Sequence, residues 1–482
     1  MKKLQQVKII FIIVCALALN IKAQTINEKI EKVMQKHVEL DQFSGTVLLA
    51  KDGKILYQKA FGDANKSYKI KNTIDTKFNI ASMGKMFTGV SIMQLEERGK
   101  LNINDPVIKY LKDFPLGNKI TLFHLLSHTS GVGNYLRAPD YRSDRHKFKG
   151  ISGLLPVIYG QKLEFKTPGQ KFSYSNSGMI ILGAVIEKVT KQSYSEYITK
   201  NILEPTQMNN TVMKFGTEVV ENRAAGYVKS ISGKYHNNNF NSSSPSPAGG
   251  ILSTVGDMLK FDQALYSSTL INEVSKKKMF TALKVTYGLT FQVEDRKNNK
   301  VVGHSGGMPG FSSYFSRYLK DKYTIIALSN YDMISKNIVH YIEGILYNNE
   351  YPLPKERLGA FMYKNKAKIK SLASLKDIAN YITENKYSLR HPQRLNMIAY
   401  EFMKEKHVDF AIKIFKLNVH LFQEEANVYD SLGEAYENNK QYELALENYE
   451  KAVEVAKKHS HRSLNSFNST LERFKKKVQE VL

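Results

Sequence analysis

Apolar residues recur at helical spacing through TINEKIEKVMQKHVEL, residues 25–40, and the pattern then changes. Residues 45–62, GTVLLAKDGKILYQKAFG, hold two apolar runs joined by Asp52-Gly53, which predicts a β-hairpin. The segment from Ser82 to Gly99 reads as a helix that opens at Ser82. From about residue 100 to 270 helices and loops dominate, including the surface loop HNNNFNSSSPSP. Strand character returns in TYGLTFQVED, KVVGHSGG, FSSYFSRYL and YTIIALSN, and a helix over ISKNIVHYIEGILYN closes the region. Strands at both ends with helices between predict an α+β fold, in which one antiparallel sheet carries a large helical insertion. Sites commonly lie in the crevice between two such parts.

Past YPLPKE the pattern is helical only. Residues 351–390 read as a helical linker and 391–482 as helical repeats. Tyr429, Leu432, Gly433, Tyr436, Ala445, Tyr449 and Ala452 fall where a tetratricopeptide repeat puts the packing residues of its helix pair. About 34 residues earlier, Leu395, Ile398, Ala399, Phe402, Ala411 and Phe415 keep the same register. Lys457 replaces the customary closing proline. Two repeats are few for a free-standing solenoid, and they offer a surface for a protein partner.

The first 23 residues stand apart. MKKLQQVK is basic, IIFIIVCALAL is a short apolar run, and Ala23 offers a cleavage point, which together predict an export signal and a periplasmic or secreted protein. Cys15, the one cysteine, lies inside this leader, so the mature chain would have no disulfide and no cysteine-bound zinc. The formal charge of +25 raises a nucleic-acid reading. The lysines are dispersed and no nucleic-acid module accompanies them, so a basic surface with weak attraction for anionic envelope polymers is expected instead.

Candidate chemistry begins at Ser82 and Lys85 in SMGKMFTG, an S-x-x-K pair; Ser275 and Lys278 show the same spacing in a solvated run. On a helical wheel Met83, Met86, Phe87, Val90 and Met93 form an apolar stripe beside Ser82 and Lys85. Burial would lower the lysine's pKa, and a helix N-terminus beside Ser82 would favour a developing oxyanion. In TPGQKFSYSNSG, Tyr174 and Asn176 precede a helix that Ser175 or Asn176 could cap. A tyrosine near a buried lysine becomes a general base where the positive charge stabilises its phenolate. In VVGHSGGMPG a strand runs into His304, Gly306 and Gly307, where glycines let a substrate approach the edge. His124 and His128 in HLLSH have the spacing of a zinc-binding helix pair, but no glutamate follows His124 and no third ligand is evident.

The ordered set S-x-x-K, Y-x-N and H-x-G resembles the serine β-lactamase and penicillin-binding-protein superfamily, in the branch of class C β-lactamases, esterases and D-alanyl-D-alanine carboxypeptidase-like enzymes. The segments HLLSHTSG, PAGGILSTVGDMLKFDQAL and YGLTF are similar to family segments too, and the resemblance covers about residues 28–348. It implies that Ser82 is acylated, that Lys85 and Tyr174 share the proton work, and that Asn176 positions them or the substrate. The backbone N–H groups of Ser82 and Gly307 would form the oxyanion hole, with no metal or organic cofactor. His304 stands where many β-lactamases have a lysine, which implies an esterase or D-amino-acid peptidase acting on a small-molecule or peptide substrate rather than an efficient β-lactamase. A β-lactamase proper, or a non-catalytic envelope binding protein using its repeats, is the alternative. Specificity is expected from the loops at about 132–165 and 235–250.

Overall fold

Asp52 and Gly53 both take positive φ, 48° and 75°, and turn the chain between β1 (Gly45–Lys51) and β2 (Lys54–Phe61) as a tight hairpin turn requires. The computed structural model describes residues 25–144, 147–213, 218–238, 245–347, 351–461 and 463–481. Residues 1–24, which include Cys15 and the expected export signal, and residues 239–244 of the Asn/Ser/Pro-rich loop lie outside the described residues.

The chain divides into two units: one runs up to Val228 and resumes over His236–Pro354, and the other comprises Lys229–Tyr235 and Lys355–Leu482. In the first unit a helix over residues 25–39 precedes the hairpin. The remaining strands of the main sheet come late in the sequence: β3 (Gln292–Arg296), β4 (Asn299–Met308), β5 (Phe311–Tyr318) and β6 (Tyr323–Ser329). The sheet is antiparallel with the order β2-β1-β6-β5-β4-β3, and the early hairpin joins the late strands through the β1–β6 pairing of Gly45 with Ser329. The α+β architecture with a helical insertion is therefore the one observed.

Within the insertion, α1 (Lys85–Glu97) and α2 (Asn176–Thr190) run through the core, and α3 (Val255–Tyr266) packs on the sheet. The closing helix, α4, spans Ser335–Tyr347. The predicted strand over 286–295 is only half formed. Thr290 takes φ 60°, so residues 286–291 turn and bury Tyr287, Leu289 and Phe291 before β3 starts at Gln292.

The second unit is helical: Leu358–Lys364, Lys366–Ser371, Leu375–Glu384, Pro392–Lys404, Val408–Leu421, Ala426–Asn438, Tyr442–Lys458 and Leu464–Val481. Leu395, Ala399, Phe402, Phe415, Leu432, Tyr449 and Ala452 share one apolar core. The stretch 351–390, expected as linker, contributes Leu358, Met362, Ile369, Ile378 and Ile382 to that core.

Among the described residues, an ion pair lies fully buried in the core of the first unit. Arg317 of β5 and Asp262 of α3 are 1% and 0% exposed, with Arg317 Nε 2.5 Å from Asp262 Oδ1. Thr324 Oγ1 donates to Asp262 Oδ2 at 2.8 Å, and Tyr266 stacks under the guanidinium at 4.4 Å. Removing one partner strands the other charge in an apolar interior, at a cost of about 3–5 kcal/mol. Asp262→Leu is therefore expected to lower the thermal unfolding midpoint strongly, and Asp262→Leu with Arg317→Met to recover most of the loss. A double variant no more stable than the single one contradicts this account of the pair.

Candidate active site

Ser82 lies on a 3-10 turn, Ala81–Gly84, and α1 opens at Lys85 rather than at Ser82. The physical reason is the tighter i→i+3 bonding of this turn, in which the Met83 N–H donates to the Ile80 carbonyl oxygen at 3.1 Å and the Lys85 N–H to that of Ser82. The helix also differs from an amphipathic stripe. Every residue from Lys85 to Leu95 is buried, as expected of a helix passing through a core rather than lying on it.

Lys85 is fully buried. Its Nζ lies 2.7 Å from Asn176 Oδ1, 2.5 Å from the Ala248 carbonyl oxygen and 3.0 Å from Ser82 Oγ. Burial lowers its pKa to about 7. The three contacts then sort themselves. Two are carbonyl oxygens that only accept, so a neutral amine gives its two hydrogens to them. The nitrogen lone pair is left facing the Ser82 hydroxyl.

Asn176 is free for this contact because Ser175 does the capping. Ser175 Oγ accepts the Gly178 N–H at 3.2 Å and opens α2, which settles the choice between Ser175 and Asn176. Asn176 Nδ2 in turn donates to Asn134 Oδ1 at 3.5 Å. Tyr174, two residues before Asn176, hydrogen-bonds Ser82, and Lys85 Nζ lies 5.0 Å from the centre of its ring. Burial raises the Tyr174 pKa well above its ordinary value, so the phenol keeps its proton. The condition for a resting phenolate base is not met, and the free base of the cluster is Lys85.

The third motif supplies an edge. β3 pairs with β4 only as far as Gly303, whereas β5 follows β4 to Met308. Residues 304–308 therefore have a strand on one side alone among the described residues. A Cβ at Gly306 would lie 2.1 Å from the Ile80 carbonyl oxygen, so the strand can press against the turn that carries Ser82 only with glycine there. A Cβ at Gly307 would meet open space. Gly307 thus sits where a substrate could lie along the edge.

His304, which stands where a lysine was the alternative, is held as a neutral ring. Its Nδ1 faces the Ser305 carbonyl oxygen at 2.6 Å and must donate, which leaves Nε2 to accept from the Tyr287 hydroxyl at 2.9 Å. Burial, reinforced by the Lys85 charge, lowers its pKa to about 3. It is a neutral ring in an aromatic cluster, its centre 6.4 Å from that of Tyr174, and supplies no cation to the cleft. The helix Leu122–Leu126 ends before His128, which has φ 54°, so His124 and His128 do not form a helical pair. His124 Nδ1 takes part in a capping box with Thr121, and His128 packs on Tyr174 with ring centres 4.4 Å apart.

The structure thus brings Ser82, Lys85, Tyr174 and Asn176 within hydrogen-bond reach, with the Gly306-Gly307 edge beside them. Sequence reasoning missed the Ala248 carbonyl, Asn134, and the packing role of His128. A backbone acceptor has no side-chain signature, although PAGG (residues 247–250) was already conspicuous.

An antiparallel sheet with a helical insertion, and a serine, lysine and tyrosine meeting at their junction, define the class of the β-lactamase-fold and penicillin-binding-protein-like serine hydrolases. The chain belongs to the beta-lactamase family, whose model matches residues 30–335. It is similar to penicillin-binding protein 4* of Bacillus subtilis (strain 168), 31% identical over 67% of this chain and 76% of that protein. It is 33% identical to the putative penicillin-binding protein PbpX of the same organism, over 59% of this chain and 70% of the relative. A penicillin-binding protein from Bacillus halodurans superposes with a TM-score of 0.61 at 27% identity, covering 65% of this chain and 98% of that structure.

The buried amine can be read without any substrate. In 15N-lysine NMR of the whole protein, the resonance lost in Lys85→Arg is expected to titrate near pH 7, well below the ordinary lysine range. A Lys85 resonance with a midpoint near the ordinary lysine value of about 10.4 contradicts the burial assigned to it.

Proposed function

We propose that the protein is an exported serine hydrolase that forms an acyl-enzyme at Ser82 with ester, amide or D-amino-acid peptide substrates. The observation that carries this reading is Lys85, a buried amine with a pKa of about 7 and a lone pair directed at the Ser82 hydroxyl. Near pH 7 about half of such an amine is neutral.

In the proposed reaction Ser82 Oγ attacks the substrate carbonyl carbon as its proton moves to Lys85 Nζ. The carbonyl oxygen, now negative, is met by the backbone N–H groups of Ser82 and Gly307. The tetrahedral species collapses with cleavage of the bond to the leaving group, which takes a proton passed on through the Tyr174 hydroxyl. Water then attacks the acyl-enzyme by the reverse use of the same groups and releases the acid. Asn176 holds Lys85 in place.

His304 bears on the substrate. A neutral imidazole committed to Tyr287 offers no charge to a substrate carboxylate, which favours esters and amides over β-lactams. The leader in residues 1–23 supports export to the periplasm or beyond the cell. The second unit supports a tetratricopeptide-like reading and a protein partner. Asn396 Nδ2 donates to Ser431 Oγ at 2.8 Å, and the Tyr400 hydroxyl donates to Glu434 at 2.6 Å, a pair 34 residues apart that matches the spacing between the first helices of the two repeats, Pro392–Lys404 and Ala426–Asn438.

A panel of D-alanyl peptides, short acyl esters and cephalosporins tests the reaction. Turnover of an ester or D-peptide is expected to exceed that of cephalosporins, and Ser82→Ala to lose at least about a thousandfold in kcat. Full activity in Ser82→Ala overturns the mechanism. Cephalosporin turnover above all other substrates overturns the substrate class. No turnover, and no covalent adduct with a fluorophosphonate, favours a binding protein.

A further inference from the structure

Ala81, immediately before the nucleophile, is an L-residue with φ 45°, a conformation that alanine adopts only under constraint. The constraint is visible. Asn79 ends the short strand Phe78–Asn79, is 2% exposed, and turns its side chain back along its own chain. Its Oδ1 accepts the Ala81 N–H at 2.9 Å, closing the kind of side-chain turn by which asparagine holds the backbone two residues on. Its Nδ2 reaches the Gly250 carbonyl oxygen at 3.5 Å.

The other fastenings of this turn are backbone and sheet. The Ile80 N–H donates to the Ile251 carbonyl at 2.9 Å, and the Ile80 carbonyl accepts from Ser313 Oγ at 2.8 Å. The Gly250 N–H donates to the Ala81 carbonyl at 3.3 Å, and a Cβ at Gly249 would lie 2.1 Å from that oxygen. Residues 248–251 thus do two things at once: Ala248 holds Lys85, and Gly250 and Ile251 hold the turn that presents Ser82. Among the described residues, Asn79 is the side chain bonded both to that segment, through Gly250, and to the backbone N–H of the left-handed residue.

We propose that Asn79 is a positioning residue for the nucleophile, holding Ala81 left-handed so that the Ser82 hydroxyl meets the Lys85 lone pair. The proposal rests on the reading of Ser82 as nucleophile. Asn79 touches neither substrate nor reacting atoms. Without its acceptor, Ala81 relaxes toward negative φ and Ser82 Oγ swings away from Nζ. The effect falls on the chemical step, while the cleft that binds substrate is unchanged.

The test uses Asn79→Leu and Asn79→Ala, each alone and combined with Ala81→Gly, in the full chain. Glycine accepts positive φ without the Cβ penalty, so it restores the turn without restoring the hydrogen bond. The measurements are kcat and KM on the best ester substrate, the rate of Ser82 labelling by a fluorophosphonate, and the unfolding midpoint. Each single variant is expected to lose about tenfold or more in kcat and labelling rate with KM within about twofold, and Ala81→Gly to recover most of that loss. Recovery of kcat without recovery of the unfolding midpoint separates positioning from general stability. Single variants as fast as the unmodified protein overturn the proposal, as does a loss that Ala81→Gly leaves untouched. If both single variants fail to fold, the double variants decide: folded double variants with slow labelling overturn it. An unmodified protein that takes no label at Ser82 removes the nucleophile itself, a failure distinct from that of Asn79.

Discussion

The removal of the Lys85 amine from water is the constraint on which the rest depends. An ammonium in bulk water holds its proton to above pH 10, and no serine beside it would be activated near neutrality. Burial lowers that value to about 7, and the two carbonyl acceptors fix which way the remaining lone pair points. A buried polar group is tolerated only when its hydrogen bonds are met, so the lysine, Asn176 and Ala248 stabilise one another as a set. The same desolvation raises Tyr174 and lowers His304. Three titratable groups are thereby assigned different states: a phenol, a neutral imidazole, and an amine divided between its two forms.

The fold supplies that dryness through its topology. α1 is buried on every side because α2 packs on one flank and α3, which lies on the sheet, meets another through Phe87 and Phe261, their ring centres 4.7 Å apart. β1 pairs with β6 across nearly three hundred residues, so the insertion that carries Tyr174 and Asn176 is folded back over Ser82 by sheet closure. Gly306 then lets β4 press against Ile80, placing an open strand edge beside Ser82.

Much of this was legible in the sequence where one residue type has one use. Asp52-Gly53 announced a turn with two positive φ values, and the spacing of apolar runs separated the sheet-bearing unit from the helical one. S-x-x-K, Y-x-N and H-x-G named the residues that meet. What stayed hidden depended on partners far away in the chain. Helical periodicity could not show that α1 is buried all round, because the wheel counts only its own residues. The strand reading of 286–295 failed at Thr290, a β-former whose φ of 60° is set by tertiary packing against the core. His304 looked like a weak substitute for a cation, and only the hydrogen bond to Tyr287 shows the ring to be committed elsewhere. The conformation of Ala81 leaves no mark in composition or spacing.

The central claim is that Ser82 is activated by a neutral amine at Lys85, and the pH dependence of the single-turnover acylation rate tests it most directly. With a neutral acylating probe, the rate is expected to fall about tenfold per unit below pH 7, as Lys85 gains its proton, and to level off above it. A rate that is flat from pH 5 to 9, or that rises only near pH 10, would contradict the account.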